Sequence, residues 1–94
     1  MEKRNAIAMV FYLAGGVVRG LARLQYVVYL LQKEVGLGGF WFEPRRFGPW
    51  SIELEGALAT LEREGLLSAR LEEPGPADAL GERPLRVYVA SQAL

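Results

Sequence analysis

Chemistry in this chain is bounded first by what it lacks: none of the 94 residues is cysteine or histidine. Thiolate nucleophiles, disulfides and cysteine-based zinc sites are excluded. With histidine go the commonest general base and the commonest metal ligand. Carboxylates remain, but their spacing is poor for acid–base work. Glu53 and Glu55, like Glu62 and Glu64, stand two residues apart, so neither pair shares a helix face. Glu72, Glu73 and Asp78 lack the spacing of a calcium loop. Gly36-Leu37-Gly38-Gly39 follows a helical stretch, which is the wrong context for a phosphate or dinucleotide loop, and no nucleophile elbow occurs. The sequence predicts a protein that is not an enzyme and takes no cofactor or metal.

Binding is the chemistry left. Arg45 and Arg46 precede Trp50 in a short turn, offering two guanidiniums for phosphate or carboxylate and one aromatic face for stacking. A purely structural role is the alternative: Gly48 supplies backbone freedom, Pro49 sets the entry to a helix, and Phe47 and Trp50 cap a core. Arg19, Arg23 and Lys33 add positive charge to the first half, where Lys3 and Arg4 also lie. The second half is acidic. Residues 51–64 carry four glutamates against Arg63, and residues 72–84 carry Glu72, Glu73, Asp78 and Glu82 against Arg83. Nucleic acid would thus be met by Arg19, Arg23, Lys33, Arg45, Arg46 and Trp50. The overall balance of 11 basic and 11 acidic residues gives no general attraction for phosphate.

These side chains need elements to hold them. Residues 5–14 form a first helix, with Asn5 as N-cap and Gly15-Gly16 as its stop. Val17 to Arg19 is a short extended link, and Gly20 breaks the chain before the longest helix, residues 21–35. Leu21, Leu24, Val28, Leu31 and Val35 recur at three- and four-residue steps, with Val27 widening that core stripe. The opposite side carries Tyr26, Tyr29, Leu30 and Lys33, so this helix is central and covered on more than one side. Phe40 to Glu43 reads as an aromatic strand broken by Pro44, and residues 45–50 as a compact turn. Ser51 caps a third helix reaching Glu64, with Leu54, Leu58 and Leu61 inward. Residues 66–72 and 85–91 are strands of a hairpin joined by a long loop rich in proline and glycine.

The order is three helices followed by a β-hairpin, an α+β plan with residues 1–94 as one domain. Gly15 to Gly20, then Leu24-Gln25 leading into Val28-Tyr29-Leu30-Leu31, then Phe47-Gly48-Pro49-Trp50-Ser51, then Leu61 to Leu67 carry a resemblance. They resemble a group of small winged-helix proteins of archaea and bacteria with an L-Q-K-hydrophobic-x-Y-L-L, Y-G-P-Y-S and L-x-x-x-G-L pattern. Panacea-type antitoxin-associated domains share a similar pattern. Tyr26 stands where the pattern has lysine, and Phe47 and Trp50 where it has tyrosines. The resemblance implies a winged-helix domain whose hairpin loop is the wing, and a DNA-binding, transcription-regulating protein. The acidic third helix and loop support the alternative, a protein-interaction or oligomerisation module without DNA affinity.

The aromatic residues exceed what a small core hides, which points to an interface: a homodimer through Tyr26, Tyr29, Leu30 and Trp41. The apolar run from Ala6 to Val18 is shorter than the roughly 20 residues that span a bilayer and lacks a cleavage site. No membrane partner and a cytoplasmic location are expected.

Overall fold

The computed structural model describes residues 2–46, 48–78 and 82–94. Three helices, α1 (Glu2–Leu13), α2 (Leu21–Val35) and α3 (Ile52–Arg63), pack with five strands in two small antiparallel sheets. The larger sheet has the order β1-β5-β4, from Val17–Arg19, Leu85–Ala90 and Leu67–Glu72. The smaller is a ribbon of β2 (Glu43–Arg45) and β3 (Gly48–Trp50). The expected hairpin is present: β4 and β5 pair antiparallel from Leu67↔Ala90 to Glu72↔Leu85. The link at 17–19 is more than a link, because Val18 pairs with Tyr88 and makes β5 the central strand.

One core unites these elements. Ile7, Val10 and Phe11 of α1 meet Leu24 and Val28 of α2, Leu54, Leu58 and Leu61 of α3, and Val18, Leu67 and Tyr88 of the sheet. Each helix presents its apolar residues at three- and four-residue steps, so burying one stripe orients the whole helix. Both α1 and α3 end with the same turn. The amide of Gly16 donates to the Phe11 carbonyl at 2.8 Å, and that of Leu66 to the Leu61 carbonyl at 2.9 Å. These bonds satisfy carbonyls that a helix end would leave unpaired.

Four sequence expectations are corrected. The first helix starts at Glu2 rather than Asn5, which is exposed within it. Its first turn is held from outside by ion pairs of Lys3 with Glu53 and Arg4 with Glu64 on and after α3, so no side-chain cap at Asn5 is required. The aromatic strand at 40–43 does not form; pairing begins at Glu43, with Pro44 inside β2 opposite Pro49. The stretch expected as a turn, 45–50, is mostly that ribbon. Val35 and Val27 are exposed rather than on the core stripe. The stripe outruns the core at Val35, where Gly36 turns the chain with a φ of 80°. The assignment of Phe47 to the core lies outside the described residues.

The loop between β4 and β5 folds back onto the start of α2. Arg19 donates to Glu72 at 2.8 Å and to Asp78 at 3.0 Å. Glu82 accepts from the amide of Ala22 at 2.9 Å and from that of Arg86 at 2.7 Å. Gly20, at the N-cap of α2, has no side chain to satisfy the first helical amides. Glu82 does so from a distant part of the chain, where the helix dipole favours a carboxylate. Among the described residues no helix is long and apolar enough to cross a membrane.

Candidate interaction surface

Two glutamines of α2 hold Phe40 and Ser51 in the segment between α2 and α3. Gln25, fully buried, donates through its side-chain amide to the Ser51 carbonyl at 2.9 Å and accepts from the Ser51 amide at 2.7 Å. One heptad later, Gln32 does the same for Phe40, with both bonds at 2.8 Å. Each amide behaves as a neighbouring strand would, exchanging a donor and an acceptor with one residue. This is why Phe40 forms no strand: its backbone is already paired. Trp41 follows suit, its amide donating to Glu53 at 3.1 Å. Gly38 allows the approach, since a Cβ there would sit 2.5 Å from Oε1 of Gln32 and the backbone φ is 128°.

Ser51 then starts α3 with its hydroxyl accepting from the Leu54 amide at 3.0 Å. Thus the Leu-Gln and Gly-Pro-x-Ser segments touch each other. Their shared chemistry in this chain is positional, holding α2 against α3. The sequence marked Gln25 only as part of the Leu24-Gln25 segment and assigned no role to it or to Gln32, because their partners were not visible as partners. Polar residues at a seven-residue step on the inward side of an apolar helix were the available signal.

The expected basic and acidic halves are interleaved by folding. Arg19 is engaged by Glu72 and Asp78, and these carboxylates raise its pKa above the ordinary arginine value. Asp78 and Glu72 are correspondingly held below theirs, Asp78 first by Arg19 and Glu72 first by Arg70, then by Arg19. Lys3 and Arg4 pair with Glu53 and Glu64. Arg23, exposed, reaches the Ala77 carbonyl at 3.3 Å. Lys33 lies over the Tyr29 ring, 5.5 Å from its centre. Arg45 pairs with Glu43 at 2.7 Å on its own strand. Arg46 is exposed at the ribbon's end. Trp50 is half-buried, with its indole donating to Glu55. The structure therefore gathers Arg19 and Arg23 at one end of α2 and places Lys33 at the other, with Arg45, Arg46 and Trp50 on the ribbon.

Of the residues expected at an interface, Tyr26, Leu30 and Trp41 are exposed. Tyr29 is half-buried, edge-on to Phe42 with ring centres 5.4 Å apart. A second apolar feature was not anticipated. Leu13 and Val17, both exposed, flank an open groove of about 530 Å³ between the end of α1, β1 and α2. Val27 and Leu31 form its α2 wall, and Arg19 and Arg23 close one end. Met9 extends the exposed α1 edge one turn back from Leu13, and Leu30 extends the α2 edge one turn on from Val27. The surface follows from α2 having apolar residues on both its faces while only one is covered within the chain.

Comparison with models of known families, with curated proteins and with solved structures finds no match to this chain.

Proposed function

We propose that this chain is a non-catalytic module of winged-helix type whose working surface is the exposed apolar face of α1 and α2, and that it docks protein. The observation that carries this reading is a contrast between two kinds of surface. Cations that would meet phosphate are engaged within the chain: Lys3, Arg4, Arg19 and Arg45 each face a carboxylate. Large apolar side chains around the groove, by contrast, face solvent. Exposed apolar patches on small domains mark interfaces, because burying them removes area from water at about 25 cal/mol per Å².

The winged-helix assignment is supported by the order of elements. A short strand after the first helix pairs with the last strand, and the hairpin β4–β5 follows α3. Its loop is the wing of this reading, folded back on α2 rather than extended. That same topology favours a second reading, DNA binding, with α3 in the place of a recognition helix. Its exposed residues are Ile52, Glu53, Glu55, Gly56 and Arg63, a poor set for reading base edges.

Anisotropy titrations of labelled random-sequence duplex against the protein separate the two. Protein docking expects no saturable binding at about 50 mM salt, where counterion release favours any phosphate binder. Saturable binding with a steep salt slope, flattened by up to about two units when Arg45 and Arg46 become Ala, overturns it in favour of DNA.

A further inference from the structure

The exposed face of α2 has a pattern that specifies its own partner. Arg23, Val27, Leu30 and Glu34 are all exposed and follow one another at steps of four, three and four. Those steps keep side chains in one narrow stripe along a helix, the spacing of a coiled-coil seam. The stripe has a cation at its first residue, an acid at its last, and two aliphatic residues between. Such a sequence is its own complement when reversed. Two copies laid antiparallel, centred between Val28 and Tyr29, bring Arg23 of each against Glu34 of the other. Val27 of each then meets Leu30 of the other across the two-fold axis.

We propose that the chain forms a homodimer through antiparallel packing of α2 against α2 in this register. The inference deepens the docking reading above and rests on it, naming a second copy as the occupant of that face.

Three further observations agree with this arrangement. The Glu34 side chain makes no hydrogen bond or ion pair with the described residues, whereas most other charged side chains do, so an acid stands ready at the seam's end. Leu13 and Val17 border the Val27 side of the stripe and add apolar area beside the seam. Tyr26 and Lys33 lie together on its other side. The two-fold axis returns each edge to the same edge of the partner helix, so Tyr26 of one copy comes near Lys33 of the other, a pairing of aromatic ring and ammonium. An isologous patch of this kind closes on itself and leaves no open end for further copies.

Charge reversal tests the register; Arg23→Glu also gives up the bond to the Ala77 carbonyl, so the fold of each variant is checked beside its mass. Arg23→Glu places an acid in the first turns of α2 and Glu34→Arg places a cation in its last turn, both favoured by the helix dipole. Each single reversal sets like charges against each other at both ends of the seam. Sedimentation equilibrium should show the dimer dissociation constant rising on the order of tenfold for either one. The double variant, Arg23→Glu with Glu34→Arg, restores opposite charges and should return it to near the wild-type value. A helical circular dichroism signal equal to wild type confirms that each variant is folded. A wild-type chain of single mass at tens of micromolar overturns the homodimer. A dimer indifferent to all three variants overturns the antiparallel register, while the docking reading stands.

Discussion

At the scale of single residues, Gln25 joins α2 to the start of α3 without any charge. Its side chain is fully buried and its two bonds to Ser51 are the means by which α2 locates the start of α3. Replacing it with Leu removes both bonds and leaves the buried Ser51 amide without a partner, while the Ser51 carbonyl keeps the Glu55 amide at 3.2 Å. The expected loss is about 1–3 kcal/mol of stability, measured as a urea midpoint shift at unchanged slope. The exposed Gln92→Leu serves as the neutral comparison; equal effects of the two substitutions would remove Gln25 from this role. The sequence was informative about Ser51, because a helix cap is a local event involving residues three apart. It gave Gln25 a place in the Leu24-Gln25 segment but not its bonds, because the paired group lies 26 residues away and an amide carries no charge to betray its partner. Arg19 is a similar case: its type announced a cation, but only folding showed which acids engage it.

At the scale of elements, the boundaries of α2 and α3 and the pairing of the terminal strands were legible because caps, stripes and strand-forming runs agree locally. The segment 36–50 was not, since side chains of α2 and α3 take backbone bonds that would otherwise recruit a strand. The charge pattern misled for a related reason: it was read by position along the chain, and the fold brings opposite ends together. Those cross-chain ion pairs make a pH prediction. Glu53, Glu72 and Asp78 are held below ordinary carboxylate values, Glu53 first by Lys3 and then by the Trp41 amide. A lowered folded-state pKa gives stability that is present above the unfolded value and is lost as pH falls through the folded one. The urea midpoint should therefore fall as pH drops below the ordinary carboxylate range of about 3.9–4.3. Glu72→Gln, which cannot lose a charge, should show a smaller fall with acid than wild type. Identical acid profiles for the two proteins would show that the Arg19–Glu72–Arg70 contacts add nothing to stability.

At the scale of the whole molecule, a 94-residue chain with no disulfide or histidine ligand must gain its stability from packing, and it still leaves one helix face uncovered. That face is the one the proposed docking covers. Of the four residues expected at an interface, Tyr26, Leu30 and Trp41 are exposed, while Tyr29 leans on Phe42 within the chain. Leu13 was read as part of the first helix and Val17 as part of a link, so the groove they border became visible only when β1 joined the sheet. The most direct measurement is the mass in solution, by sedimentation equilibrium, of wild type, Leu30→Lys and Leu71→Lys. Leu71 is also exposed, but on β4 of the hairpin, so it controls for the loss of any surface leucine. The account predicts twice the chain mass for wild type and Leu71→Lys at tens of micromolar, and a single chain mass for Leu30→Lys. A dimer that survives Leu30→Lys, or a wild type that never exceeds one chain, would contradict it.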